Sequence, residues 1–104
     1  MAAVTDNGFA LEYASNELKN DKEIVYKAVV RDWRALQHSS ERLRSDYFIV
    51  MAAIEQNWRA LQYASAELEN AKYVVYRAVQ RNGDALQYAS VGVKNDKGVV
   101  LAAV

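Results

Sequence analysis

The side chains that could carry out chemistry in this sequence recur at a fixed interval of twenty-five residues. A serine stands at each of four such positions, and His38 is the single histidine. A serine nucleophile needs a general base beside it, so one histidine would have to serve four separated hydroxyls. The pattern is more typical of packing residues whose hydroxyls bond to a backbone carbonyl. We expect that role for Ser15, Ser40, Ser65 and Ser90.

The remaining polar side chains also lack the spacing of a catalytic or metal site. His38 occupies a column that otherwise holds tyrosine, which favours a structural or surface role. The carboxylates are interspersed with basic residues, as in Glu23 and Lys27 at i and i+4, which is typical of a solvated helix face. The chain has no cysteine and no glycine-rich phosphate loop. We therefore predict that the protein is not an enzyme and has no metal or other cofactor.

The charge balance bears on the class of partner. Thirteen basic and thirteen acidic residues cancel, so the chain lacks the positive field that attracts nucleic acid or anionic lipid. The first residues show neither the basic n-region nor the apolar stretch of a signal peptide, and we expect no membrane span. The absence of cysteine fits a reducing compartment. These features predict a cytoplasmic protein with no nucleic-acid or membrane partner.

Four copies of one unit account for the fixed interval. The repeats are residues 8–32, 33–57, 58–82 and 83–104, and residues 1–7 match the tail of a preceding unit. Each repeat holds an Ala-Leu pair, an aromatic residue or histidine, a small residue and a serine, then a β-branched pair and an alanine. A chain of this length supports one modest core, so we predict a single helical-repeat domain over residues 1–104.

The apolar spacing within each repeat is helical. Leu11, Ala14 and Leu18 fall at i, i+3 and i+7, which predicts a first helix of about ten residues. The β-branched pair and the alanine that follows it lie on one face of a second helix. Short polar residues such as Asn20 and Asp21 are expected to cap that helix, and junctions such as Asp32–Trp33 to end it in a left-handed conformation. The fold class is all-α, a short α-solenoid of four tandem helical hairpins.

The repeat resembles a known family. The motif residues lie at 10–15, 18–25, 81–83 and 85–90, and they read Ala-Leu, Tyr-Ala-Ser, Leu, Asn-Asp-Lys-Glu and Asn-Gly. They resemble a tandem two-helix repeat catalogued as a domain of unknown function, which occurs in arrays in protists and in effectors that intracellular bacterial pathogens inject into host cells. The resemblance covers essentially the whole chain. It implies an interaction array, either an effector segment or a small regulator or inhibitor that binds a partner protein, acting in the cytoplasm or in a host cytosol.

The middle repeats break the polar pattern at one place. The residues that open the second helix are Lys22–Glu23, Tyr47–Phe48, Lys72–Tyr73 and Lys97–Gly98. Exposed aromatic residues often mark a partner surface, and the two tryptophans stand at equivalent places one repeat apart. The candidate partner-binding residues are Trp33, Tyr47, Phe48, Trp58 and Tyr73. The alternative is that Tyr47, Phe48 and Tyr73 pack locally between layers or hold a homodimer.

We therefore predict a non-catalytic protein–protein interaction module with an unidentified protein partner. A structural, self-assembling array is the alternative, in which the uncapped ends of the chain pair to form a homodimer. A nucleic-acid-binding helical repeat is less favoured because the net charge is zero.

Overall fold

The computed structural model describes residues 8–104, and all of their regular structure is helical. Each repeat contains a six-residue 3₁₀ helix, a one-turn α-helix and a longer α-helix. The 3₁₀ helices are η1 Gly8–Tyr13, η2 Trp33–His38, η3 Trp58–Tyr63 and η4 Gly83–Tyr88. The one-turn helices are α1 Asn16–Lys19, α3 Glu41–Arg44, α5 Ala66–Glu69 and α7 Val91–Lys94. The long helices are α2 Lys22–Arg31, α4 Tyr47–Gln56, α6 Lys72–Arg81 and α8 Lys97–Ala103.

The all-α prediction is confirmed, and the segment of the preceding unit predicted for residues 1–7 lies outside the described residues. No helix among residues 8–104 is both long and apolar enough to cross a membrane.

The first half of each repeat is two helical pieces, whereas the sequence predicted one helix. Ser15 interrupts it with extended backbone, at φ −66° and ψ 163°, between η1 and α1. Its hydroxyl accepts a hydrogen bond from the Leu18 N–H at 3.3 Å, and Ser40, Ser65 and Ser90 make the same bond at 3.3 to 3.4 Å. The predicted bond to a backbone carbonyl was wrong for Ser40 and Ser90, whose hydroxyls donate to Asn20 Oδ1 and Asn70 Oδ1 at 2.6 Å. Serine caps an exposed helix start more favourably than it packs inside a helix.

The junction between repeats also differs from the prediction. Asp32, Asn57 and Asn82 have φ between −155° and −162°, which is extended backbone and not the left-handed conformation. Their side-chain oxygens accept hydrogen bonds from backbone N–H groups two residues later, at 2.8 to 2.9 Å. These residues therefore begin the 3₁₀ helices, because a short polar side chain can bond the free donors of a helix start.

The caps predicted for the long helices are confirmed in three repeats. Asp21, Asp46 and Asp96 each accept a hydrogen bond from the backbone N–H three residues later, at 3.0 to 3.1 Å. In the third repeat the cap position is Ala71, which makes no side-chain bond, and Asn70 does not take over the role. The start of α6 is the one long-helix start among the described residues that has no side-chain cap.

A continuous core runs through the stack. Each repeat contributes buried leucine, valine, isoleucine and alanine side chains, among them the fully buried Leu11, Leu36 and Leu61. Alanine side chains with no exposed surface, Ala28, Ala53 and Ala78, lie in the middle of the long helices. Small residues there let helices approach closely, and the larger side chains fill the remaining space.

Backbone hydrogen bonds tie each repeat to the next. The N–H of Ser40 donates to the Lys19 carbonyl at 2.9 Å, and Ser65 and Ser90 repeat this bond to Arg44 and Glu69 at 2.9 and 3.0 Å. Because these bonds join main-chain atoms, they hold the repeats in register whatever the neighbouring side chains are. The stack measures 44 × 20 × 17 Å.

The long helices lie side by side and point the same way. At their N-terminal ends, Lys22 Nζ lies 3.3 Å from Asp46 Oδ2 across α2 and α4. At their C-terminal ends, Gln56 Nε2 donates to the Val29 carbonyl at 2.7 Å. We call these two sides of the layer the N-terminal edge and the C-terminal edge.

Candidate partner-binding surface

Three of the five candidate residues lie together on the N-terminal edge. Tyr47 and Phe48 open α4, and Tyr73 is the second residue of α6. Phe48 is 74% exposed, Tyr73 is 83% exposed and Tyr47 is 48% exposed. The rings of Tyr47 and Phe48 meet edge to face with centroids 5.8 Å apart. We call these three side chains the aromatic cluster.

Trp33 and Trp58 lie at the opposite edge of the layer and do not belong to the cluster. They follow the C-terminal ends of α2 and α4, and a ten-residue helix such as α4 is about 15 Å long. Both indoles are half-buried. Trp33 stacks on Tyr63 with ring centroids 5.9 Å apart, and Trp58 packs against Tyr88 at 6.2 Å. Each tryptophan therefore joins its repeat to the next one.

The tryptophans were predicted to extend the partner-binding surface, but they pack between repeats instead. The Arg59 guanidinium lies 4.6 Å from the centre of the Trp58 ring, which covers that indole further by a cation–π contact. The structure brings together Tyr47, Phe48 and Tyr73 and separates them from Trp33 and Trp58. His38, the last residue of η2, is half-buried.

The aromatic cluster coincides with a gap in a ladder of ion pairs. Along the N-terminal edge, Lys22 pairs with Asp46 of the next repeat, and Lys72 pairs with Asp96 at 3.0 Å. At the junction between the second and third repeats, which we call the middle junction, the equivalent residues are Tyr47 and Ala71. Both the basic and the acidic member are therefore replaced by uncharged residues where the aromatic side chains are exposed.

A different ionic contact holds the C-terminal edge of the middle junction. Glu55 of α4 receives hydrogen bonds from Arg77 Nε at 2.6 Å and Arg77 Nη2 at 3.1 Å, and a further one from Arg81. The two guanidinium groups hold the pKa of the Glu55 carboxyl below its usual range. Two cations share one anion, so this group of three side chains carries one net positive charge.

The outer surface between the aromatic cluster and the arginines is largely apolar. Met51 and Tyr76 lie one turn further along α4 and α6, and Tyr76 is 40% exposed. A groove of about 360 Å³ is lined by Lys72, Tyr73 and Tyr76. The sequence reasoning missed Met51 and Tyr76. Their spacing of three residues from Phe48 and Tyr73 places them on the same helix face and could have found them.

The first repeat has the larger groove, of about 780 Å³, along the outer face of α2. Its lining combines the exposed Tyr26 and Val30 with charged side chains, namely Lys22, Glu23, Lys27 and Arg31. Within residues 8–104, no three His, Asp or Glu side chains come together in a group that could hold a metal ion.

The fold and this surface define a class of protein: an all-α stack of short helical repeats with an exposed aromatic cluster on one edge. The chain belongs to the family described as Domain of unknown function (DUF4116), whose model matches residues 1–30, 21–69 and 72–104. The predicted recognition of a repeat family of unknown function is confirmed. No curated protein and no solved structure matches the chain.

Proposed function

We propose that this chain is a non-catalytic module that binds a partner protein through the aromatic cluster. The observation that carries the proposal is the exposure of Phe48 and Tyr73 on neighbouring helices at the middle junction. Large aromatic side chains grouped in water are the usual anchors of protein interfaces, because burying them removes much apolar area at little conformational cost.

The fold itself has no need of aromatic residues at these positions. The equivalents of Phe48 and Tyr73 are Glu23 in the first repeat and Gly98 in the fourth, and the same helices form there. The side chains also contribute little to the core, since most of their surface faces solvent. A role outside the folded chain accounts for them better than a role in its stability.

The middle junction also lacks two stabilising features at its N-terminal edge. The cap of α6 is absent, and the Lys–Asp pair of the other N-terminal edges is replaced by Tyr47 and Ala71. Binding surfaces commonly carry residues that are suboptimal for stability. On this proposal the module acts in a cytosol, as a small regulator or, where it forms part of an injected effector, in that of a host cell.

The proposal is tested by returning the cluster to the residues of the first repeat. We expect the double substitution Phe48→Glu with Tyr73→Glu to leave the chain folded, because Glu23 already occupies this position in α2. The control is Tyr13→Glu, which changes an aromatic side chain that is 84% exposed in η1, outside the aromatic cluster. We expect all three proteins to unfold at similar temperatures. A large thermal destabilisation of the double variant would show that the cluster is structural.

Binding is measured with a photo-crosslinking amino acid at position 73 and, in a second protein, at position 13. Covalent protein adducts at position 73 that disappear with Phe48→Glu support the proposal. Equal adducts at both positions, or none at position 73, contradict it. An adduct of twice the chain mass would instead identify a second copy as the occupant and favour the self-assembling array.

A further inference from the structure

The exposed apolar area is large enough for a binding interface. A fully exposed aromatic side chain offers roughly 200 Å², so the exposed fractions of Tyr47, Phe48, Tyr73 and Tyr76 amount to about 500 Å². A standard interface between folded proteins takes about 800 Å² of polar and apolar surface from each partner, of which a little more than half is apolar. The four aromatic side chains therefore supply about the apolar area that one interface needs, and they are sufficient to anchor a short segment of a partner.

The positions of Phe48 and Tyr73 indicate the conformation of that segment. Phe48 and Tyr73 occupy equivalent positions on α4 and α6, which are neighbouring parallel helices. Packed helices lie roughly 8–10 Å apart. Residues i and i+7 of a helix lie about 10.5 Å apart on one face, whereas an extended strand repeats a face at about 6.8 Å. A helix lying across α4 and α6 places its i and i+7 side chains on the two aromatic residues.

The charges beside the aromatic cluster indicate which side of the docked segment carries acidic residues. One turn beyond Tyr73, Arg77 shares the Glu55 carboxylate with Arg81, which leaves one positive charge without an opposite charge. α6 itself carries Lys72, Arg77 and Arg81 and no acidic residue. An acidic side chain on the flank of the docked helix that faces the C-terminal edge would meet this charge.

We infer that the aromatic cluster receives a short amphipathic helix of a partner protein, apolar at positions i, i+3 or i+4, and i+7, with acidic residues on one flank. This inference rests on the proposed function and adds the class of ligand to it. Met51 and Tyr76 lie beside the cluster and accept the intermediate apolar positions of the helix.

The test uses a display library of random peptides of about 16 residues, which is long enough for four helical turns. The library is selected on the wild-type chain and, in parallel, on the Phe48→Glu and Tyr13→Glu variants. We expect enriched sequences with apolar residues at helical spacing and an excess of Asp or Glu. The wild-type chain and Tyr13→Glu should recover the same set, and Phe48→Glu should bind its members at least tenfold more weakly.

The acidic flank is tested on one selected peptide by fluorescence anisotropy. Replacing its acidic residues by Lys should weaken binding severalfold, and raising the salt concentration should reduce that difference. On the protein, Arg81→Gln leaves Glu55 its two bonds to Arg77 but removes the extra positive charge. We expect this variant to lose most of the preference for the acidic peptide.

Three results would overturn the inference. These are enriched peptides without helical spacing, enrichment of basic rather than acidic residues, and selection that does not depend on Phe48. Protein adducts at position 73 that disappear with Phe48→Glu in the crosslinking experiment would still support the proposed function in each case. Absence of those adducts, together with a failed selection, would contradict both the inference and the proposed function.

Discussion

The first junction, between repeats 1 and 2, and the middle junction have the same interior but different edges. Both bury a fully enclosed leucine, Leu36 or Leu61, and both are joined by the same serine N–H to carbonyl bond. At the N-terminal edge, the first junction has the Lys22–Asp46 ion pair, whereas the middle junction has Tyr47 and Ala71. The core and the backbone bonds are therefore sufficient for stacking, and the edge positions are free to differ between repeats.

The largest expected effect concerns the shared interior. Leu36→Ala and Leu61→Ala should each lower the free energy of unfolding by about 2–5 kcal/mol, because each removes a buried side chain and leaves a cavity. Chemical denaturation of the two variants should give similar losses. A much smaller loss for Leu61→Ala would show that the middle junction is looser inside as well as at its edge.

The next effect concerns the N-terminal edge, where the first junction and the middle junction differ. Ala71→Asp should raise the free energy of unfolding by about 1 kcal/mol, because the new carboxylate can cap α6 as Asp46 caps α4. The backbone of Ala71 (φ −87°, ψ 111°) already matches that of Asp46 (φ −83°, ψ 117°). The reciprocal control, Asp96→Ala, should lose at least as much, since it also breaks the pair with Lys72. An unchanged free energy of unfolding in Ala71→Asp would mean that the missing cap does not destabilise the wild-type chain.

A smaller effect should appear in acid at the C-terminal edge of the middle junction. The arginines hold the pKa of Glu55 below its value in the unfolded chain, so the ionised carboxylate stabilises the fold at neutral pH. That contribution is present above the unfolded pKa and is lost as pH falls through the folded one. Glu55→Gln should therefore destabilise the chain at pH 7, by less than the cap effect. The difference from wild type should vanish in acid, and a pH-independent difference would contradict the assignment.

The smallest effect concerns Glu69, which ends α5 where the other repeats have Lys19, Arg44 and Lys94. Burial raises the pKa of the Glu69 carboxyl, so its ionised form costs stability at neutral pH. This cost begins to fall as pH drops through the folded pKa and is gone below the unfolded pKa. Glu69→Gln should raise stability at pH 7 by about 0.5 kcal/mol or less. The control Glu67→Gln, at an exposed neighbour, should show no gain. Equal gains in both variants would contradict a burial cost at Glu69.

The sequence predicted the repeat period, the all-α class and the aspartate caps, and the structure confirms the helical class and three of the caps. These features could be predicted because they depend on residues close together in the chain. The period is visible as recurring residue types, and a cap bonds to a donor only three residues away. The exposed positions of Phe48 and Tyr73 could also be predicted, since the alternation of buried and exposed faces along a helix follows from its 3.6-residue period.

Only the tertiary structure decided how the first half of each repeat divides and which aromatic residues share a surface. Apolar residues at i, i+3 and i+7 suit a continuous α-helix as well as a 3₁₀ helix followed by a separate turn, and serine is compatible with either. Trp33 and Trp58 repeat at the same interval as Phe48 and Tyr73, but they lie at the opposite edge of the layer. A repeat fixes the distance along the chain, whereas the packing of neighbouring helices fixes which side chains meet.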